Sequence, residues 1–457
     1  MKKWLFLLAL ASLIFISNGR AANAAGPIAV SDSAVKLDYP RQMTFHLAAS
    51  SSAPITALGL SVRFPTGLVT RLQPKFNSDN QVDTSVIWNL NGRLGVQVGG
   101  YLPPGATGEY SWHIEDQAGN KFDTPFAPFQ VQDNREPWKV YKNDRITLYW
   151  GAGSQDDGQT VFDTANKTLD AIQNDIGATI TSPLTLYAWG NRDDFTSALA
   201  PGNQEWAGGT IDSDFWVVLV DASEGMNFVI EATPHELTHL VIAQYLKGPY
   251  GDITMPLWMN EGMAVYHEYI PAKNEPRFDI AIRRGVQTDT LFRLRTLAGR
   301  FPSDSSVVDM AYGEGYSVVD FMIKTYGRDK LKQIMTLFKN GTTADDAFMQ
   351  VLGVDQDGLE NAWRKSIGAQ VKNYAKAPTA TPGAVPTLSF STVVTPSAPQ
   401  VTPTTVAQAV TPVLPPNPAP TPVPTPGAPG GLCGLPIGAI GLLAFGVWRL
   451  GNKKRFK

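Results

Sequence analysis

The sequence has almost no cysteine, few histidines and little net charge. Cys433 is the only cysteine among 457 residues, which excludes an intrachain disulfide. Five histidines are too few for two separate histidine-rich metal sites. The net charge of −3 argues against a nucleic-acid partner, because such a protein needs a concentrated basic face. The length predicts two or three domains.

The N-terminus has the pattern of a secretory signal peptide. Residues 1–24 begin with a lysine pair, continue as an apolar run from Trp4 to Ile16 and end in small residues. A charged start, an apolar centre and a small-residue cleavage site are typical of export signals. An uncleaved membrane anchor is the alternative. We expect an exported chain that is cut after Ala24.

Charged residues are also missing from a long stretch near the C-terminus. Residues 377–431 hold 15 of the 34 prolines and no Asp, Glu, Lys or Arg. Such a segment cannot bury a core, so it predicts an extended Pro/Thr-rich linker. At about 3.1 Å per residue the linker could span on the order of 170 Å.

The segment after this linker predicts a membrane anchor. Residues 432–450 are almost entirely apolar, and residues 451–457 form a basic tail. Seventeen uncharged residues from Leu432 to Trp448 are near the lower length limit for a transmembrane helix. A buried apolar hairpin is the alternative. The basic tail would lie in the cytoplasm under the positive-inside rule, with the rest of the chain at the cell surface.

The region 27–135 predicts an all-β domain. Alternating apolar residues occur in stretches such as MTFHL, LGLSVRF and YSWHI, and turn sequences such as DQAGN separate them. We expect an immunoglobulin-like β-sandwich of about seven strands. His46 and His113 fall opposite the apolar faces, and we interpret them as ordinary surface residues.

The region 138–376 predicts a second, α+β domain. ITLYW, PLTLYAW and FWVVLV have the composition of strands, residues 159–177 have helical spacing, and the pattern from residue 226 onward is mostly helical. Strands that precede helices in this way favour an α+β domain of about 240 residues. The multidomain chain would thus comprise a sandwich, this domain, the linker and the anchor.

The stretch IEATPHELTHLV supports two interpretations. In the structural one, Thr233 caps a helix, Pro234 is its first residue and Glu236 completes a capping box. In the chemical one, His235 and His239 lie one turn apart and bind one metal ion, while Glu236 accepts a proton from a water on that metal.

A catalytic zinc site of this kind needs a third protein ligand. Glu261, in LWMNEGMAVYHEY, is the best candidate because the 22 residues after His239 suffice for one helix to end and a second to return antiparallel. The following His267 and Glu268 are interpreted as a surface pair at the end of that helix.

The stretches HELTHLV, LWMNEGMAVY and AYGEGYSVVDFMIKTYG resemble the gluzincin zinc metallopeptidases, the thermolysin- and aminopeptidase-like superfamily, and most closely its peptidase MA-like group. The resemblance covers roughly residues 138–375. It implies Zn²⁺ held by His235, His239 and Glu261, with Glu236 as general base.

The same resemblance assigns further roles. In the aminopeptidase branch a tyrosine of a Tyr-x-x-Gly motif stabilises the oxyanion, and Tyr312 in YGEG matches it, with Tyr316 as a weaker candidate. The segment WAGGTIDSD would lead into the strand that holds peptide substrate. Two features depart from the family. Val265 stands where an acidic residue often orients a histidine, and the motif that captures a free amino terminus is missing.

The sequence therefore predicts a membrane-anchored, extracytoplasmic zinc peptidase that acts on peptides or proteins. The alternative is a cell-surface binding or adhesion protein whose peptidase-like domain holds zinc without turnover. Glu236→Gln discriminates them, because the peptidase should keep zinc and lose cleavage.

Overall fold

The computed structural model describes residues 26–90, 100–201, 208–249, 254–268, 276–302, 304 and 307–374. Within these ranges no helix is long and apolar enough to span a membrane. The predicted signal peptide, linker, anchor and basic tail (1–24, 377–431, 432–450 and 451–457) lie outside them, and these four assignments stay predictions.

The N-terminal region is built from strands, as its alternating sequence predicts. In β2 and β5 every second side chain is buried, which places one face of each strand on the core. The eight strands are β1 (Ile28–Asp38), β2 (Gln42–Ser51), β3 (Ile55–Arg63), β4 (Val69–Leu72), β5 (Gln81–Asn89), β6 (Thr107–Asp116), β7 (Lys121–Asp123) and β8 (Ala127–Gln130).

These strands form two antiparallel sheets. One has the order β1-β2-β5, and the other has the order β4-β3-β6-β7, with β8 also paired to β6. Phe45 of the first sheet and Trp112 of the second are both fully buried in one shared core. The chain changes sheet from β2 to β3, from β4 to β5 and from β5 to β6, and the two sheets share one core, as expected for a sandwich.

His46 and His113 lie on the outer faces of their strands, as predicted, and each ring contacts two carboxylates. His46 Nδ1 lies 3.1 Å from Asp32 and its Nε2 lies 3.0 Å from Asp83. His113 contacts two carboxylates in the same way, Asp123 on the paired strand and Glu115 two residues along its own strand. The sequence pattern placed both rings correctly on the outer face but gave no sign of their cross-strand partners.

The second region is a five-stranded sheet with helices. Its strands are β9 (Lys139–Lys142), β10 (Ile146–Trp150), β11 (Leu184–Trp189), β12 (Gly209–Asp212) and β13 (Val217–Asp221). Its helices are α1 (Gln155–Ile176), α2 (Arg192–Ser197), α3 (Met226–Leu246), α4 (Leu257–Glu268), α5 (Pro276–Thr288), α6 (Val308–Tyr326), α7 (Arg328–Lys339), α8 (Ala344–Leu352) and α9 (Gln356–Ser366).

The sheet order is β12-β13-β11-β10-β9. The three inner strands are parallel, whereas β9 and β12 run antiparallel at the two edges. A β-rich region followed by a sheet with helices confirms the predicted succession of domains. The first edge strand, β12, lies within WAGGTIDSD, whereas we expected this segment to lead into a strand.

Both faces of this sheet are buried. Side chains such as Leu186 and Val218 pack into the core formed with the helices. Their neighbours Tyr187 and Leu219 point to the other face and belong to the core of the sandwich. Phe64 of the sandwich contacts Phe215 beside this face, with ring centroids 5.7 Å apart. The sandwich is therefore a covering layer of the sheet, and residues 26–372 form one compact unit.

Candidate metal centre

The helix that carries HELTH begins earlier than predicted. It starts at Met226 after the N-cap Gly225, so Pro234 lies in its interior and Thr233 is a fully buried helical residue. Thr233 therefore caps no helix, and the structural interpretation of this stretch is wrong. Proline lacks an N–H and breaks one helical hydrogen bond, at a cost of about 3 kcal/mol. Burial of the first two turns, through residues such as Phe228 and Val229, offsets this cost.

The contacts between α3 and α4 show that the two helices are antiparallel. His239 contacts Asn260, while His235, one turn earlier, contacts Glu268 near the other end of α4. This is the helix, loop and returning helix that the sequence predicts. It brings Glu261 opposite the two histidines.

Three ligand-type atoms converge there. His235 Nε2 and His239 Nε2 are 3.1 Å apart. Glu261 Oε2 lies 3.6 Å from the first and 3.3 Å from the second. All three side chains are buried, and no other cluster of three or more His, Cys, Asp or Glu side chains in the described ranges could hold a metal ion.

These separations fit a tetrahedral zinc ion. Zinc binds histidine nitrogen and carboxylate oxygen at about 2.0–2.2 Å, which puts tetrahedral ligand atoms about 3.3–3.6 Å from one another. Glu261 Oε2 makes no hydrogen bond among the described residues. Lone pairs that face one another without a proton donor repel, whereas a cation between them makes the arrangement favourable. The donor set therefore fits zinc.

Each histidine is oriented by an acceptor on α4. His235 Nδ1 is in a short contact with Glu268, and His239 Nδ1 lies 3.1 Å from Asn260 Oδ1. Donation from Nδ1 leaves each Nε2 lone pair free to bind metal. Glu268 is only 2% exposed, so the predicted surface pair of His267 and Glu268 is wrong.

Sequence reasoning missed both orienting residues, although a signal existed for one. Glu268 is seven residues after Glu261, which returns to the same face of a helix after two turns. We tested only the position held by Val265, one turn after the ligand. Asn260 offers no comparable signal, because its role depends on how α4 packs against α3.

Glu236 lies beside the cluster and is not one of its converging atoms. Its carboxylate is buried, and neither oxygen has a hydrogen-bond partner among the described residues. Gly209 of β12 passes directly over it, since a Cβ on that glycine would lie 2.8 Å from Glu236 Oε1. An edge strand and a carboxylate thus meet next to the three ligand atoms.

The charges of the site are concentrated and buried. Burial raises the pKa of Glu236 to about 8, and the negative charges of Glu261 and Glu268 add to this effect against the attraction of His239. Burial works in the opposite direction on His239, but Glu261 and Glu236 raise its pKa to about 9. A divalent cation at the centre would stabilise the deprotonated form of every one of these groups.

Tyr312 faces this cluster from α6. Its ring centroid is 6.4 Å from that of His235, and its side chain is buried. Burial and the negative charge of Glu261 raise the pKa of Tyr312 well above its ordinary value, so its hydroxyl remains a hydrogen-bond donor. Tyr316 lies elsewhere and packs near Tyr266. The geometry thus agrees with the preference for Tyr312.

Two glycines bring α4 and α6 into backbone contact. A Cβ on Gly262 would lie 2.3 Å from the carbonyl oxygen of Gly315, and a Cβ on Gly315 would lie 2.5 Å from that of Trp258. Gly262 follows Glu261, and Gly315 is three residues after Tyr312. The glycines of NEG and YGEG therefore set the separation between the helix of the third ligand and the helix of the tyrosine.

We predict that Gly315→Ala lowers the free energy of unfolding by about 1–3 kcal/mol, because the new methyl group forces two packed helices apart. Chemical denaturation monitored by circular dichroism measures this loss. Gly299→Ala is the control, since a Cβ there meets nothing within 4 Å. Equal stability of the two variants would show that α4 and α6 are not held at contact distance.

Comparison with known proteins finds a family to which the second region is similar. A family model described as the peptidase MA superfamily matches residues 164–369. No curated protein sequence matches the chain.

Three solved structures illustrate the low similarity that the structural comparison finds. An M1 zinc metallopeptidase from Deinococcus radiodurans is 13% identical, with 75% of this chain and 92% of that chain covered and a TM-score of 0.32. An aminopeptidase N family protein from Idiomarina loihiensis is 12% identical, with coverage of 68% and 71% and a TM-score of 0.34. A family 56 carbohydrate-binding module that binds β-1,3-glucan is 14% identical, with coverage of 21% and 95% and a TM-score of 0.14. At these TM-scores the likenesses assign no function. The family match agrees with the motifs of the sequence, and residues 164–369 of this chain are similar to the peptidase MA superfamily.

Proposed function

We propose that the chain is a zinc metallopeptidase that hydrolyses peptide bonds. The observation that carries this proposal is the convergence of His235 Nε2, His239 Nε2 and Glu261 Oε2 within 3.1–3.6 Å of one another. These three residues would hold the zinc. When bound, zinc supplies a Lewis acid that polarises a carbonyl group and lowers the pKa of water to about 7.

The side chains around the ligands have separate tasks. Glu236 accepts a proton from the attacking water and returns it to the leaving amine. Its buried carboxylate has no hydrogen-bond partner among the described residues, so both oxygens are available to accept this proton. Tyr312 donates a hydrogen bond from its hydroxyl group to the oxyanion of the tetrahedral intermediate. This bond strengthens as negative charge develops on the oxygen in the transition state. Glu268 and Asn260 hold the histidines in the required tautomer.

The edge strand β12 would hold the substrate. It ends the order β12-β13-β11-β10-β9, so its outer edge is not paired with another strand of the described chain. An extended peptide can add to such an edge through main-chain hydrogen bonds. Because Gly209 lies against Glu236, a peptide on this edge would have its backbone beside the general base.

Cleavage of a peptide library, with the products read by mass spectrometry, tests the function. We expect hydrolysis by the zinc-loaded chain, and internal cleavage would distinguish an endopeptidase from an aminopeptidase. A chain that holds zinc and binds peptide without cleaving it would contradict the proposal. It would instead support the alternative of a cell-surface binding protein with a non-turnover site.

We also propose that this chain is anchored in the membrane and that its peptidase region lies outside the cytoplasm. This proposal is supported by the sequence patterns of residues 1–24 and 432–457, which lie outside the described residues. Protease protection of the intact cell, with an antibody to the peptidase region, measures the side of the membrane on which that region lies.

A further inference from the structure

A buried histidine outside the ligand set contacts the metal-binding helix. His267 is fully buried on α4, next to Glu268. Its Nδ1 lies 3.0 Å from the hydroxyl oxygen of Thr238, which is the residue immediately before His239 on α3. None of the steps proposed for hydrolysis uses this histidine or this threonine.

The hydrogen-bond directions at Thr238 follow from its single hydroxyl proton. The hydroxyl group donates to the carbonyl oxygen of Pro234 at 2.7 Å. Having used its proton there, the oxygen can only accept from His267, so Nδ1 of that ring is the donor. The hydroxyl group of Thr238 is thus hydrogen-bonded both to the backbone of Pro234, which precedes His235, and to the side chain of His267.

A buried carboxylate lies beside the other nitrogen of the His267 ring. Its Nε2 lies 3.4 Å from Asp175 Oδ2, a carboxylate at the end of α1 that is only 2% exposed. The other oxygen of Asp175 is in a short contact with Arg328, at the start of α7. Arg328 compensates the buried charge of Asp175, while His267 Nε2 makes no hydrogen bond among the described residues. The chain Arg328, Asp175, His267 and Thr238 thus runs from the surface to the metal-binding helix.

We propose that His267 is a positioning residue of the metal centre and acts through Thr238. Pro234 leaves α3 without one of its internal hydrogen bonds just before the first ligand. The backbone hydrogen bonds of α3 are therefore interrupted beside the turn that carries the two metal-binding imidazoles. The bond from His267 compensates in part for this interruption from outside the helix. The inference rests on the proposed zinc site.

A double-mutant cycle on zinc affinity tests this role. Thr238→Val and His267→Gln are each expected to weaken zinc binding about 10-fold, at the lower end of the range for groups that orient metal ligands. Because both variants remove the same hydrogen bond, the double variant should be no weaker than either single variant. Thr238→Ser keeps the hydroxyl group and should restore near wild-type affinity. Competition with a chromophoric chelator measures the dissociation constants.

Thr168→Val is the matched control. Thr168 is also a buried helical threonine that donates to the carbonyl oxygen four residues earlier, at 2.9 Å, but it lies on α1, which carries none of the three ligands. Its loss should lower the melting temperature without changing zinc affinity. Unchanged zinc affinity in Thr238→Val and His267→Gln would overturn the proposal, and so would a 100-fold additive loss in the double variant.

This result is separable from the test of the proposed function. If the wild-type chain binds zinc and cleaves no peptide, the peptidase function fails while the positioning role stands or falls on the affinities alone. If the wild-type chain cleaves peptides and the variants bind zinc as tightly as it does, only the positioning role fails.

Discussion

Glu236→Gln should lower the rate of peptide hydrolysis by about 10²–10⁴-fold, the usual contribution of a general base. The amide fills the same space beneath Gly209 but cannot accept a proton. The substitution should leave zinc binding intact, because Glu236 is not among the three converging ligand atoms. Initial rates on a cleaved peptide, together with metal analysis of the same sample, measure both effects.

Glu109→Gln is the control for this substitution. It removes a carboxylate that pairs with Arg63 on the exposed side of the sandwich, far along the chain from the metal centre. Its rate and its zinc content should match those of the wild type. A Glu236→Gln variant that hydrolyses peptides at the wild-type rate would contradict the assignment of Glu236 as the base.

Removal of the sandwich should abolish folding of the peptidase region. A chain cut to residues 138–376 would expose the sheet face that carries Tyr187 and Trp189, both now buried in the core of the sandwich. This face also carries Val217 and Leu219, and its exposure costs about 25 cal/mol for each Å² of apolar surface. A typical domain has a net stability of only about 5–15 kcal/mol, so the exposure of such a face is a large loss.

Polar contacts at the same boundary should add to this loss. Asp133 accepts a hydrogen bond from Trp189 Nε1 at 2.9 Å and also pairs with Arg135, which in turn reaches Asp194 of α2. Scanning calorimetry of the longer chain 26–374 should therefore show one cooperative transition. Two independent transitions, or a natively folded 138–376 chain, would contradict the covering-layer description.

The elements with regular patterns could be predicted from sequence. ITLYW is β10 to the residue, and the alternating apolar residues of β2, β3 and β6 mark the buried faces of the sandwich. The spacing of HELTH and the distance to Glu261 placed three residues that converge in the structure. These predictions rest on the fixed periods of helices and strands, which hold whatever the elements pack against.

The errors arise where tertiary contacts override a local rule. Pro234 has the sequence signature of a helix start, yet burial of the preceding two turns extends α3 back to Met226. His267 and Glu268 look like a polar helix end, but α4 packs between α3 and α6, and its polar residues meet polar partners inside. The packing of the sandwich on the sheet could not be predicted either. Tyr187 and Trp189 occupy a strand whose two faces are both apolar, so the sequence does not show what covers each face.

A zinc titration of the metal-free chain, followed by peptide hydrolysis, tests the central claim most directly. We expect no hydrolysis without metal, a linear rise as zinc is added and a plateau at one zinc per chain, since one cluster of three ligands was found in the described residues. Hydrolysis by the metal-free chain at the full rate, or an inert chain at one bound zinc, would contradict it.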